Sequence, residues 1–204
     1  MEIILENLGK RYQRQWIFKN INLELSVGKS YAVTGPNGSG KSTLVKVLMG
    51  VTPPSIGHVK YLIDNNEVEE DSIYQYCSLA SPYLDLIEEF TLQELIAFHF
   101  KFKKVKGDFK VQDIIEIAYL EKHKNKLIKN FSSGMKQRLK LALAFYSDTP
   151  VLFLDEPTSN LDTKGIEWYL SQVSKCSEKM IIVASNQSYE FEFCENHINI
   201  PKYI

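Results

Sequence analysis

The chain has 204 residues, 44% hydrophobic and 24% charged, with 24 Lys and Arg against 25 Asp and Glu for a formal charge of -1. That is ordinary globular sequence of about one domain, with no global pull toward nucleic acid or anionic lipid. The cysteines, Cys77, Cys176 and Cys194, are odd in number and lack metal-knuckle spacing, which points to a reducing compartment and excludes a disulfide framework.

In chain order, Met1–Leu5 and Ile21–Leu25 carry strand texture, the second alternating apolar and polar. Glu2 and Glu6 interrupt the start, so no secretory signal is expected there. Ser30–Thr34 reads as a short strand running into a glycine-rich loop, followed by a helix over Ser42–Met49. Pro53, Pro54 and Gly57 break the chain before a strand at His58–Ile63, Asn65 and Asn66 mark a turn, and Ile73–Leu79 reads as another strand. Helical spacing then takes over at Thr91–Phe102, Val111–Leu120 and Met135–Tyr146. Strand texture returns at Val151–Leu154 and Met180–Ala184, with a helix at Gly165–Lys175 between them. Strands alternating with helices imply an α/β fold with a mostly parallel sheet, and the central helical block reads as an insertion into it. The longest apolar stretches fall far short of the ~20 residues that span a bilayer, so the chain is not expected to cross a membrane by itself.

Two motifs carry chemistry. Gly35-Pro36-Asn37-Gly38-Ser39-Gly40-Lys41-Ser42, followed by Thr43, is a full phosphate-loop match between a strand and a helix. Its backbone N–H groups can cradle phosphate, with the helix N-terminus adding a positive dipole end. Lys41 would reach the β- and γ-phosphates of a nucleotide and Ser42 would ligate Mg²⁺. A plain glycine turn before a helix is the weaker reading. The second motif, Val151-Leu152-Phe153-Leu154-Asp155-Glu156-Pro157, sets two carboxylates at the end of a buried strand, where open α/β sheets bind ligands. Asp155 would hold Mg²⁺ through water, and Glu156 would take a proton from an attacking water. An acidic turn after a strand is common, and the phosphate loop is what favours the functional reading.

Between these motifs lies Phe131-Ser132-Ser133-Gly134-Met135, followed by Lys136-Gln137-Arg138, and Ser159-Asn160-Leu161-Asp162 follows the carboxylates. By itself the serine–glycine stretch is a helix N-cap. In this order and spacing the motifs resemble those of the ATP-binding cassette ATPases, and the resemblance covers nearly the whole chain. It implies a P-loop ATPase core with an N-terminal antiparallel β-subdomain and an inserted helical subdomain. The chain would then be a single cassette over residues 1–204, with the core at 1–80 and 147–204 and the helical part at 81–146. The family signature is usually L-S-G-G-Q, so the match at Ser132, Ser133, Gly134 and Met135 is imperfect. In that family two chains meet head to tail, and each signature closes over the γ-phosphate held by the other. Ser159–Asp162 resembles the D-loop. Tyr12 falls where the family places an aromatic that stacks on adenine, with Trp16 and Phe18 as nearby competitors.

The chain departs from the family twice. After Met180–Ala184 the usual Thr-His pair is Ser185-Asn186, and an asparagine can donate a hydrogen bond to a γ-phosphate but carries no charge. Gln187 beside it is expected to point elsewhere. The Q-loop glutamine, a Mg²⁺ ligand in the family, is absent, and Ser81 falls closest in register. Removing one preorganised donor costs ~10²–10³-fold in rate, so slow hydrolysis is expected with Glu156 retained.

The resemblance implies the Mg-ATP-hydrolysing subunit of a transporter, working as a homodimer or heterodimer with separate transmembrane permease subunits that dock near Pro82–Phe90. It would be cytoplasmic and peripheral on the inner face of the cell membrane. The alternatives are a soluble cassette ATPase, a nucleotide-gated binding module that barely turns over, and a small-molecule kinase, which would need neither signature nor D-loop. The Phe98–Lys104 stretch mixes aromatic and basic residues, but a solvated helix end is favoured over a nucleic-acid stripe, and the scattered histidines give no metal cluster.

Overall fold

The computed structural model describes residues 1–203. Two sheets organise it. The first is antiparallel, in the order β2 (Gln15–Ser26), β1 (Glu2–Tyr12), β4 (Ile56–Ile63), β5 (Asn66–Glu67). The second is parallel throughout, in the order β6 (Cys77–Ala80), β7 (Val151–Asp155), β8 (Met180–Ala184), β3 (Ser30–Thr34), β9 (Asn196–Asn199). The helices are α1 (Lys41–Leu48), α2 (Leu92–Phe102), α3 (Val111–Ile117), α4 (Ser133–Tyr146) and α5 (Thr163–Val173).

The parallel sheet is buried on both faces, and its strand residues divide by twos. Leu152, Leu154, Ile181 and Val183 join the core built with α2, α3, α4 and α5. Val151, Phe153, Met180, Ile182 and Ala184 face the opposite core, formed with α1 and the antiparallel sheet. Continuous apolar runs in β7 and β8 are what such a two-faced layer requires. Each fully buried aliphatic side chain is worth about 1.5–3 kcal/mol of transfer free energy, so these strands are fixed points from which the loops at their ends project.

Local signals set the helix starts. Thr91 and Glu94 form a reciprocal capping box at α2, Thr91 Oγ1 accepting from Glu94 N at 3.4 Å and Glu94 accepting from Thr91 N at 2.8 Å. Asp162 caps α5 by accepting from Gly165 N at 2.8 Å.

The strand expected over Ile73–Leu79 is corrected: Glu70–Tyr76 is a 3₁₀ helix in which only Ile73 is buried, and β6 begins at Cys77. Cys77 pairs with Val151, and before Val151 stands Pro150, which has no N–H to extend the ladder. The edge strand β9 was not expected; its sequence Asn-His-Ile-Asn buries little beyond Ile198. Among the described residues, no helix is long and apolar enough to cross a membrane.

Candidate functional site

The phosphate loop follows β3 and leads into α1. Gly40 and Gly35 both leave no room for a side chain there: at Gly40 φ is +102° and a Cβ would lie 2.1 Å from Ile17 Cγ2, and at Gly35 φ is +150° and a Cβ would lie 2.5 Å from Ser39 Oγ. Lys41 is buried, and its Nζ donates to the carbonyls of Gly35 (3.0 Å) and Pro36 (3.1 Å). Its ammonium is therefore folded back under the loop. A cavity of about 350 Å³ opens here, lined by Ile17, Asn37, Gly38, Lys41, Tyr83 and Glu156 among others.

The end of β7 meets this loop directly. Ser42 Oγ donates to Asp155 Oδ1 at 2.9 Å, and Ser81 Oγ donates to Asp155 Oδ2 at 3.4 Å. Residues far apart in sequence thus converge on one buried carboxylate. Burial raises the Asp155 pKa, the Ser42 hydrogen bond pulls it back, and the Glu156 charge raises it further. The donor set is all oxygen, which suits a hard cation such as Mg²⁺.

Glu156 leaves the strand with φ +45°, a left-handed conformation that costs about 1–3 kcal/mol in a non-glycine residue. Its N–H donates to Ala184 O at 2.9 Å, which ties it to β8. The Tyr83 hydroxyl donates to Glu156 Oε2 at 3.5 Å, and the Glu156 charge raises the Tyr83 pKa. Sequence reasoning passed over Tyr83, which carries no motif; only its place two residues beyond Ser81 marks it.

Asn186 Nδ2 donates to Asn37 Oδ1 at 2.9 Å, placing the second residue after β8 against the phosphate loop. Gln187, expected to point elsewhere, is exposed and borders a cavity of about 260 Å³ with Asn186, Glu156 and Ser159. Its backbone N donates to Ser185 Oγ at 2.9 Å, which fixes the turn after β8.

The serine–glycine stretch sits elsewhere. Ser132 caps α4, its Oγ accepting from Met135 N at 3.2 Å. Ser132, Ser133, Gly134 and Met135 line a cavity of about 390 Å³ together with Arg138 and Asn160–Asp162. This cavity shares no lining residue with the one at the phosphate loop. Tyr12 stands half exposed at the end of β1, with the Lys10 ammonium 5.2 Å from its ring centre. Phe18 is fully buried and so drops out as a competitor for an exposed stacking position.

A family model described as ABC transporter matches residues 18–159. This chain belongs to the ABC transporter family. A Clostridium acetobutylicum protein named as an ABC transporter ATP-binding protein is 30% identical over 97% of the cassette and 86% of its own length. Nod factor export ATP-binding protein I of Rhizobium johnstonii is 31% identical over 78% of the cassette, which spans 52% of that relative. Among solved structures, a bacterial ABC transporter cassette determined as a dimer superposes with a TM-score of 0.82 at 26% identity, covering 97% of this chain and 93% of that one. The same relative is known in a post-hydrolysis dimer bound to ADP and Pi, at a TM-score of 0.83 and 25% identity. The assignment to the cassette ATPases, the fold class and the nucleotide-binding character expected from the motifs are therefore correct.

Proposed function

We propose that the cassette binds Mg-ATP at the phosphate loop and hydrolyses it slowly in a head-to-tail dimer, as the ATP-binding subunit of a transporter whose membrane-spanning part is carried by other chains. The observation that carries this reading is the separation of the two cavities. Signature and phosphate loop do not meet within one chain, so a nucleotide contacts both only when a second cassette supplies the signature. The dimeric relatives support that arrangement.

Within it, the loop N–H groups from Gly35 to Thr43 and Lys41 hold the phosphates, and Tyr12 offers its ring to adenine. Lys41 exchanges its two carbonyl partners for phosphate oxygens. Ser42 ligates Mg²⁺, Asp155 holds it through water and Ser81 supports that carboxylate. Glu156 accepts the proton of the attacking water, and Asn186, neutral, donates to the γ-phosphate. Ser132–Met135 with Ser159–Asp162 face the partner's nucleotide. Residues 1–80 and 147–204 form the nucleotide-binding part, and 81–146 the signature part. Tyr83, Leu84 and Ile87 are exposed on the Pro82–Phe90 segment, which suits permease docking at the inner face of a membrane.

Sedimentation of the Glu156→Gln variant tests this: Mg-ATP should convert monomer to dimer, and ADP should not. A species that stays monomeric with ATP bound, up to high concentration, would leave the nucleotide-gated module as the better description.

A further inference from the structure

The peptide group joining Pro157 to Thr158 is held from both sides by buried polar side chains. Gln137 Nε2 on α4 donates to Pro157 O at 2.8 Å. Glu190 Oε1, in the turn after β8, accepts from Thr158 N at 2.8 Å and from the Thr158 hydroxyl. In a trans peptide those C=O and N–H groups point in opposite directions, so one plane is pinned between two elements. Gln137 is 1% exposed and Glu190 2%.

Gln137 Oε1 and Glu190 Oε2 are both buried without a hydrogen-bond partner. An orphaned amide oxygen and an orphaned carboxylate oxygen each carry a desolvation penalty that no partner offsets. Each residue tolerates that at one end to place its other end on the same peptide group. The pinned group directly precedes Ser159–Asp162, whose residues line both the Glu156 cavity and the signature cavity. Further bonds lock the Glu190 side: Glu190 N donates to Gln187 O at 3.1 Å, Tyr169 OH to Glu190 O at 2.8 Å, and the Tyr189 and Thr158 hydroxyls are 3.2 Å apart.

We propose that Gln137 and Glu190 are positioning residues that fix the 159–162 loop through the 157–158 peptide group, so that the signature helix and the turn carrying Asn186 set that loop together. What matters is the hydrogen-bonding end of each side chain, not the charge of Glu190. The inference deepens the proposed ATPase reading, and its kinetic part rests on it.

Amide exchange of the nucleotide-free chain tests it without any turnover. Glu190→Ala should accelerate exchange across 158–162 by roughly tenfold or more, while β7 and β8 keep wild-type protection. Glu190→Gln, which keeps the acceptor, should stay within about threefold of wild type. In turnover, Glu190→Ala should lower kcat by about 10–100-fold with KM for ATP within about twofold, and Glu190→Gln should restore most of it. If Glu190→Ala does not fold, Thr158→Val, which removes only the hydroxyl, must accelerate exchange in 158–162 alone. Unchanged exchange in the variant that folds, or a Glu190→Gln as impaired as Glu190→Ala, overturns the proposal. A wild-type chain that never hydrolyses ATP would count against the proposed function and leave the exchange result standing.

Discussion

Gly134 stands at the second position of α4, where a Cβ would lie 2.7 Å from the backbone carbonyl oxygen of Asn160. Carbon–oxygen contacts of this kind settle at about 3.3 Å or more, so Gly134→Ala forces about 0.6 Å of movement between helix and loop. The obstacle is backbone, and Asn160 already holds φ +65°, so the loop cannot yield by a rotamer change. Overpacking of this kind costs about 1–3 kcal/mol. Replacing glycine by alanine in a helix returns at most ~1 kcal/mol, less in a first turn. The net expectation is destabilisation of about 0–2 kcal/mol, a fall in Tm of up to about 8 °C for a domain of this size. Activity should suffer more, since misplacing a group by about 1 Å can cost ~10²-fold. Thermal unfolding beside steady-state Mg-ATP hydrolysis measures both. Wild-type Tm together with wild-type kcat would refute the claim that close backbone approach is what requires glycine here.

Asp155→Asn should raise Tm while abolishing turnover. Burial raises the Asp155 pKa, so the folded state loses stability as pH rises above the unfolded carboxylate value, and asparagine escapes that penalty while still accepting from Ser42. A lower Tm would mean that the charge is compensated. His99 is held neutral by burial with its pKa lowered to about 4, its ring 3.0 Å from Ser147 Oγ. The unfolded chain binds the extra proton, so this contribution is present above pH ~6.5 and fades by up to about 3 kcal/mol as pH falls toward 4. Urea titrations over that range should show wild type losing more than His99→Gln; parallel losses would contradict it. Asn186→His should raise the hydrolysis rate roughly 10-fold or more, and an unchanged rate in a chain already turning over at ~1–100 per second would show that asparagine is no handicap.

Much of the site was legible because its motifs are contiguous. Gly35–Thr43 and Val151–Pro157 each mark a strand end, the fold brings these two ends together at Ser42 and Asp155, and β3 and β8 fall where periodicity put them. What stayed hidden depends on contacts between distant residues. Ser81 was placed by register alone, and only the fold shows its hydroxyl on Asp155. Tyr83 reaches Glu156 from an exposed turn that has no motif. Gln137 and Glu190 meet at one peptide group from positions far apart in sequence, a relation no local pattern encodes. The strand expected over Ile73–Leu79 was started too early, at Ile73 instead of Cys77, because alternation looks alike in a short strand and in a 3₁₀ turn with one buried residue. The edge strand β9 is polar because one side of its ladder is free, so it lacks the apolar run that marks a central strand.

In the proposed dimer, two cassettes together make the competent site, with Glu156 as the base. The most direct test is Mg-ATP hydrolysis by the purified chain across a protein concentration series, beside Glu156→Gln. In such a dimer the rate per subunit should rise with concentration toward a plateau and vanish in the variant. A rate per subunit independent of concentration, or one that survives Glu156→Gln, would contradict it.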